Sequence, residues 1–261
     1  MGIQKPRTIA VANEKGGVGK TVTVINLSAA LILENKKVLV VDMDPQANST
    51  KGLGVLLGDD DISVYDIIFK QDRVFAKDAI KTTAWEGLDL IPSHVDLAGA
   101  EIEMADIEGR ENLLKNALAD IISDYDFIIL DTPPSLSLLT VNVFSFAAEV
   151  IVPCQTHPYA FDALENLLDT IDAVKEEINP NIRLTGIIPT FFDQRTKISR
   201  KIMAKLKENE NYGKLLFDTT IRINTTIAES SDKGKPVVFF RRSSYGAIDY
   251  QDLAEELLLR G

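Results

Sequence analysis

A glycine-rich turn near the start of the chain carries the clearest chemical signal in the sequence. It reads Lys15-Gly16-Gly17-Val18-Gly19-Lys20-Thr21. A glycine-rich turn that opens a helix brings several backbone N–H groups together, which makes an anion site and above all a phosphate site. Lys20 would add a positive charge near the outer phosphates, and the Thr21 hydroxyl would hold Mg²⁺. The residues predicted to contact a nucleotide here are Lys15, Gly16, Gly17, Val18, Gly19, Lys20, Thr21 and Val22.

This turn departs from the standard phosphate-loop pattern at one position. The pattern has a glycine five residues before Gly19, where this chain has Glu14 followed by Lys15. A short apolar run over 8–12 predicts a strand before the turn, and 22–33 has the pattern of a helix after it. A plain glycine turn with two solvated lysines is the alternative, but the two matching flanks favour a phosphate site.

Aspartates follow two further predicted strands. The apolar run 38–41 leads into Asp42 and Asp44, and the run 127–130 leads into Asp131. Open parallel sheets bind ligands at the carboxyl ends of their strands. In phosphate-loop enzymes an aspartate at that edge serves Mg²⁺ or its water shell. A solvated loop is the plainer interpretation of Asp42 and Asp44, but the neighbouring phosphate site favours a functional one near the rim.

Strands and helices alternate along the remaining chain, which predicts an α/β fold. We expect one domain over 1–261, with a mostly parallel, twisted sheet and helices on both faces. Residues 47–87 suggest loops around short helices. Further strands are predicted at 88–92, 150–154, 184–188, 215–217 and 236–238, and helices at 97–105, 110–123, 160–177, 197–207, 225–231 and 246–259.

Composition narrows the class of protein. The chain has 261 residues, of which 45% are hydrophobic and 26% charged, as in soluble globular proteins. No apolar run approaches the roughly 20 residues of a membrane span, and residues 1–7 are too short and polar for a signal peptide. We therefore expect a cytoplasmic protein. The single cysteine, Cys154, ends an apolar run and is expected to be a packed thiol.

One predicted helix is strongly basic although the net charge of the chain is −11. Residues 194–207 contain six basic side chains and no acidic one. Lys197, Lys201 and Lys205 would form an outward stripe, with Ile198 among the inward residues. A solvated helix face and a contact with DNA phosphates both remain open interpretations. The candidate DNA contacts are Lys197, Arg200, Lys201, Lys205, Arg222, Arg241 and Arg242.

Five segments resemble the ParA/Soj/MinD group, the deviant Walker A ATPases. They are 15–21, 41–48, 88–93, 129–134 and 234–237. The second and third are similar to the ParA/Soj type, which segregates plasmids and chromosomes or positions other cargo on the nucleoid. This resemblance covers nearly the whole chain. It implies a weak ATPase that uses ATP and Mg²⁺, dimerises with ATP, binds nucleoid DNA nonspecifically, and is stimulated by a ParB-like or other partner protein.

The resemblance also implies roles for single residues. Lys15 would reach across a dimer interface to the partner's ATP. Lys20 would bind the β- and γ-phosphates, and Thr21 would ligate Mg²⁺. Asp44 would position or activate the attacking water close to the metal, and Asp131 would serve the Mg²⁺ shell.

The resemblance is looser where the family lines its adenine pocket. Residues 221–224, with Arg222 and Asn224, lie at that place. Many relatives read Pro-Arg-Asn-x-Arg there, whereas residues 222–226 of this chain lack both arginines in register. Tyr245 stands where many relatives carry Arg or Lys. Both differences fall on positions that the family uses on DNA.

Three alternatives compete with this interpretation. A MinD-like membrane switch ends in a basic amphipathic helix, whereas 247–260 carries four acids against one arginine, so no membrane partner is expected. An iron–sulfur or electron-transfer relative needs at least two cysteines, and this chain has one. A module that holds nucleotide without turnover remains open.

Overall fold

The computed structural model describes residues 5–58, 60–71, 73–158 and 160–260. Its centre is a seven-stranded sheet in the order β3-β4-β2-β5-β1-β6-β7. The strands are Arg7–Val11 (β1), Val38–Asp42 (β2), Lys81–Thr82 (β3), Leu88–Ile91 (β4), Phe127–Asp131 (β5), Glu149–Gln155 (β6) and Arg183–Thr190 (β7). All neighbours pair in parallel except β3, which runs antiparallel to β4 at one edge.

Helices fill the connections between the parallel strands and also follow β7. In chain order they are Lys20–Leu33 (α1), Asn48–Gly52 (α2), Val64–Phe69 (α3), Ala76–Ala79 (α4), Ala100–Met104 (α5), Leu113–Leu118 (α6), Leu138–Phe146 (α7), Ala160–Glu177 (α8), Lys197–Glu208 (α9), Thr225–Asp232 (α10), Val237–Phe240 (α11) and Tyr245–Leu259 (α12). Turns of 3₁₀ helix cover Val95–Gly99, Arg110–Asn112, Ile122–Asp124 and Gly213–Leu215. Within the described residues, no helix is both long and apolar enough to cross a bilayer.

Two apolar cores lie on opposite faces of the sheet. Successive side chains of a strand point to opposite faces, so Ala10 belongs to one core and its neighbours Ile9 and Val11 belong to the other. Strands covered on both faces need continuous apolar runs, which explains the sequences of β1, β2 and β5. The predicted α/β class with a mostly parallel sheet and helices on both faces is confirmed.

Several local predictions are wrong. Residues 215–217 form no strand: a 3₁₀ turn ends at Leu215 and Leu216 makes a single bridge to Ile187. Residues 236–238 lead into α11, because Pro236 precedes the helix and the side chain of Asn26 accepts a hydrogen bond from Val237 N at 2.7 Å. The helix predicted over 110–123 is interrupted: only α6 is α-helical, between two 3₁₀ turns.

One helix and one strand of the structure are not predicted by the sequence patterns. The helix α7 is apolar on all sides, so it lacks the periodic contrast from which a helix is recognised. The strand β3 has only two residues, which is too short for a pattern. Neither omission changes the order of the strands that carry the predicted site.

Candidate functional site

The glycine-rich turn joins β1 to α1 at the carboxyl edge of the sheet. Gly17 and Gly19 have φ angles of +73° and +97°, a region that glycine enters without steric cost. Gly19 directly precedes α1, and its carbonyl accepts the first helical hydrogen bond, from Thr23 N at 2.9 Å. The first N–H groups of α1 have no partner within the helix, so they are available to an anion at this exposed turn.

Side chains distant in sequence hold the turn in place. The Asn13 amide donates to the Pro153 carbonyl at 2.9 Å and accepts from Lys15 N at 3.0 Å. The Thr190 hydroxyl donates to the Val18 carbonyl at 2.8 Å. The turn is therefore fastened to β6 and β7. A polar residue at the carboxyl end of β7 was the available signal for Thr190, but the strand was predicted to end at 188.

Glu14, which replaces the usual glycine, attaches the turn to a helix. Its carboxylate accepts a hydrogen bond from the Asn166 side chain of α8 at 2.8 Å. The next residue, Lys15, is half-buried and its carbonyl accepts a bond from Lys20 Nζ at 3.2 Å. The departure from the standard pattern thus positions the loop around Lys15.

Lys20 is a nearly buried cation beside two carboxylates. Its relative exposure is 6%. Burial lowers the pKa of Lys20, and the charges of Asp131 and Asp44 partly oppose that change. A buried ammonium close to a phosphate-binding turn can neutralise negative charge that water would otherwise solvate.

The two aspartates after β2 have different surroundings. Asp42 is the last residue of the strand and fully buried, and its carboxylate accepts bonds from Thr50 N at 2.8 Å and Thr50 Oγ1 at 2.7 Å. Asp42 therefore lies at the carboxyl end of β2 as expected, but its side chain is buried and holds α2 in place instead of facing a ligand. Asp44 accepts a bond from Gln46 N at 3.0 Å and lines a cavity with Lys20.

Asp131 ends β5 and is fully buried. One carboxylate oxygen accepts a bond from the Ser49 hydroxyl at 2.7 Å, whereas Oδ1, near the Thr21 hydroxyl, has no partner within 3.5 Å among the residues that the structure describes. Burial and the nearby charge of Asp42 raise the pKa of Asp131, while the hydroxyls of Ser49 and Thr21 lower it. A buried oxygen without a partner next to Thr21 suits a water or ion of a metal shell.

The described residues contain no group of three or more His, Cys, Asp or Glu side chains that could hold a metal ion. A Mg²⁺ at Thr21 and Asp131 would take most of its oxygen ligands from phosphates and water. This is the usual coordination of Mg²⁺ at phosphate sites.

Two cavities meet at the turn. One, of about 360 Å³, holds Lys20, Asp44 and the glycine-rich turn. The other, of about 550 Å³, is bounded by the segment 221–228 and by Tyr250 of α12. Gly19, Val22 and Phe191 line both. The pair of cavities suits a ligand with a charged tail and a flat, less polar end.

Phe191 was missed by sequence reasoning. It follows β7 with φ +50°, which is uncommon for a bulky residue, and it is 39% exposed. A Cβ built on Gly19 would stand 3.5 Å from its ring. The left-handed backbone keeps this ring at the junction of the two cavities instead of in a core.

Arg222 and Asn224 line the larger cavity, but their polar ends have other partners. Asn224 caps α10 by accepting from Thr226 N at 2.8 Å. The Arg222 guanidinium pairs with the buried carboxylate of Asp249 and lies 4.3 Å from the ring centre of Tyr245. Both partners of Arg222 belong to α12.

The basic residues of α9 are exposed. Lys197, Arg200, Lys201 and Lys205 form no ion pair within the part of the chain that the structure describes. Ile198 is also 48% exposed, so its predicted inward position is wrong. The buried position belongs to Ser199, whose hydroxyl is hydrogen-bonded to that of Thr156 at 2.7 Å.

The last two candidate DNA contacts are exposed, and the single cysteine is buried. Arg241 and Arg242 are exposed directly after α11. Cys154 is buried in β6, and burial raises its pKa to about 12. The predicted packed thiol is confirmed.

Comparison with known proteins finds a matching family profile and relatives that cover nearly the whole chain. The profile of a family described as an AAA domain matches residues 6–184. The chain is 40% identical over 255 residues to the sporulation initiation inhibitor protein Soj of Bacillus subtilis, which covers 98% of this chain and 99% of Soj.

Solved structures share the whole fold. A cobyrinic acid a,c-diamide synthase from Mycobacterium smegmatis with bound ATP analogue and magnesium superposes with a TM-score of 0.84 at 37% identity, over 97% of this chain and 94% of that one. A putative plasmid partition protein from Borrelia burgdorferi bound to AMPPNP gives a TM-score of 0.82 at 25% identity, over 98% and 100% of the two chains.

Proposed function

The chain belongs to the ParA/Soj family of P-loop ATPases, and from this premise we infer that it binds ATP and Mg²⁺ at the glycine-rich turn and works as a partitioning switch. ATP favours a dimer, the dimer binds nucleoid DNA without sequence preference, and slow hydrolysis releases it. A ParB-like or other partner protein stimulates turnover. The observation that carries the ATP assignment is the meeting of two cavities at Gly19, Val22 and Phe191.

Hydrolysis in this proposal depends on charge neutralisation and positioning. Mg²⁺, when bound, offsets charge on the phosphate oxygens. Lys20 moves from the Lys15 carbonyl to the outer phosphates and neutralises charge there. Asp44, which faces the same cavity, orients the attacking water. Thr21 and the Oδ1 atom of Asp131 would hold the metal and its water shell.

The base of the nucleotide lies in the larger cavity. Phe191 stands at the entrance to that cavity with part of its ring exposed. Base–aromatic stacking tolerates any base and adds affinity. We therefore assign the base contact to Phe191, with Arg222 and Asn224 in the wall of the same cavity.

A second copy of the chain covers the exposed side of the turn. Gly16 and Gly17 are exposed, and Lys15 lies beside them on the loop that Glu14 fastens to α8. An ammonium at this position is free to reach a phosphate that sits above a facing turn. The exposed turn supports the dimer and the trans role of Lys15.

Contacts with DNA involve the basic face of α9, with Arg241 and Arg242 as further candidates. The exposed cations of α9 have no acidic partner among the described residues, which supports a polyanion as their ligand. Arg222 is already paired with Asp249, so it contributes less to this surface. We expect the protein in the cytoplasm on the nucleoid. A MinD-like membrane contact has no support in α12, where Leu253 and Leu257 are fully buried.

The ATP assignment is tested with Lys20→Ala and its control Lys197→Ala, which removes the same charge from α9. We expect Lys20→Ala to lose measurable ATP binding in calorimetry, and Lys197→Ala to bind as the wild type does. Near-normal ATP affinity in Lys20→Ala would refute the phosphate role. If the wild type binds ATP but releases no phosphate even with DNA and partner protein, the chain is a nucleotide-binding module without turnover.

The DNA assignment is tested by converting Lys197, Lys201 and Lys205 to Glu. We expect weaker binding in a gel shift with ATP present. The slope of log affinity against log salt concentration should become shallower by up to about 2.7 if three phosphate contacts are lost. Calorimetry should give unchanged ATP affinity. Unchanged DNA affinity would mean that the stripe is only a solvated helix face.

A further inference from the structure

A second charged cavity lies at the amino edge of the sheet, opposite the glycine-rich turn. Its volume is about 210 Å³, less than half that of the cavity beside Phe191. Four strands begin around it, since Arg7, Phe127, Glu149 and Arg183 are the first residues of β1, β5, β6 and β7. Lys5, Lys36, Asp126 and Leu258 complete its wall.

The acidic groups of this cavity are already satisfied. Both oxygens of Glu149 accept from the Arg7 guanidinium, at 2.7 and 2.8 Å, and Oε2 also accepts from the Thr185 hydroxyl at 2.7 Å. The third donor group of Arg7 bonds to the Leu257 carbonyl at 2.8 Å. The Asp126 carboxylate accepts from Lys37 N at 2.8 Å.

The cationic groups are not satisfied to the same degree. Lys5 and Lys36 form no ion pair with any described residue. The Arg183 side chain is 59% exposed, and its guanidinium stands 3.5 Å from a Glu149 oxygen that already has two donors. Four cations and two acids line the cavity, which leaves two positive charges in excess in a chain of net charge −11.

We propose that this cavity is a binding site for a small phosphorylated ligand, separate from the nucleotide site. A phosphate group carries about the two negative charges that the wall lacks. The fork of Arg183 suits a phosphate in bidentate geometry, and Lys5 and Lys36 add point charges beside it. The limited volume favours a phosphate or pyrophosphate group with a small substituent over a whole nucleotide.

The position of the cavity links it to the nucleotide site through two continuous elements. The strand β1 starts at Arg7 and leads directly into the glycine-rich turn. The helix α12 ends near Leu257, which Arg7 contacts, and it carries Tyr250 in the wall of the larger cavity. A ligand at the amino edge therefore stabilises the junction of the two elements that frame the nucleotide.

The test uses inorganic pyrophosphate as the probe and the full chain carrying Lys20→Ala, so that the glycine-rich turn does not compete. In that background, Lys36→Gln with Arg183→Gln removes two cations from the cavity and leaves the Arg7–Glu149 pair intact. Lys115→Gln with Lys175→Gln is the matched control, because it removes the same charge from exposed positions on α6 and α8. Circular dichroism checks that each variant is folded.

We expect saturable pyrophosphate binding by calorimetry at low salt in the Lys20→Ala protein and in the control. We expect it to be at least tenfold weaker without Lys36 and Arg183. Equal weakening in both double variants would mean a general charge effect and would overturn the site. Absence of saturable binding in Lys20→Ala alone would overturn it as well, because all binding would then belong to the glycine-rich turn.

Discussion

Two buried carboxylates at opposite edges of the sheet, Glu149 and Asp131, differ in how fully they are hydrogen-bonded. At the amino edge, Arg7 and Glu149 form a closed pair with two hydrogen bonds, and Thr185 completes it. At the carboxyl edge, Asp131 is equally buried but one of its oxygens has no partner, and Lys20 bonds a backbone carbonyl instead of a carboxylate.

This difference separates groups that stabilise the fold from groups that await a ligand. Removal of either partner of a fully hydrogen-bonded ion pair leaves the other charge buried and unpaired, which destabilises the folded chain. An unpartnered buried oxygen costs free energy that a bound metal shell can recover. Within one sheet, the degree of hydrogen-bond satisfaction therefore distinguishes structural charges from functional ones.

Loss of Glu149 should have the largest effect on stability. Glu149→Ala leaves the Arg7 guanidinium in a mostly buried place without its carboxylate. Removal of one partner of a buried pair costs about 3–5 kcal/mol, and we expect the free energy of unfolding in urea to fall by that amount at neutral pH. Asp131→Asn is the control from the other edge and should change it by less than about 1 kcal/mol. Equal losses in the two variants would break the comparison.

Loss of Asp44 should reduce turnover and spare the fold. Because the Asp44 carboxylate lines the cavity and accepts a hydrogen bond from Gln46 N, while its backbone makes bonds that alanine would keep, Asp44→Ala should leave ATP affinity and unfolding free energy close to those of the wild type. Phosphate release should fall about 100-fold if this carboxylate orients the attacking water. Undiminished phosphate release would remove Asp44 from the mechanism.

Loss of the Phe191 ring should weaken the base half of the site alone. Stacking of a base on an aromatic ring contributes about 1–3 kcal/mol, so Phe191→Ala should bind ATP at least about fivefold more weakly. Binding of inorganic tripolyphosphate should not change, and Phe191→Tyr should restore ATP affinity. An equal loss for ATP and tripolyphosphate would show that Phe191 only shapes the turn.

The pH dependence of stability should report the closed pair. Burial alone would raise the pKa of Glu149, but the hydrogen bonds from Arg7 and Thr185 hold it below its ordinary value of 4.5. A carboxyl with a lowered folded-state pKa stabilises the fold above its unfolded pKa, and this stabilisation is lost as the pH falls through the folded value. The unfolding free energy of the wild type should therefore decline below about pH 4.5 more steeply than that of Glu149→Gln. Parallel curves would contradict this assignment.

The predictions that the structure confirms depend on short contiguous patterns. The apolar runs of β1, β2 and β5 specify strands buried on both faces, and the glycine-rich turn needs only its own residues to reach positive φ. The wrong predictions concern segments whose state depends on neighbours. Residues 236–238 are apolar enough for a strand, yet the side chain of Asn26 caps them as a helix.

The aspartates after β2 show most clearly what the local sequence does not determine. Asp42 and Asp44 are two residues apart and equal in type, so no local pattern separates their roles. Only the position of Thr50 against Asp42 turns one of them into a structural anchor and leaves the other facing the cavity.

The local sequence determined the phosphate turn, the apolar strands that end in Asp42 and Asp131, and the α/β class, because each depends on residues close in the chain. Tertiary structure alone decided which charged groups are fully hydrogen-bonded and which face a cavity. The Arg7–Glu149 pair joins residues 142 positions apart, and Thr190 holds Val18 across 172. Such contacts arise when β6 and β7 pack beside β1, and their geometry follows from that packing.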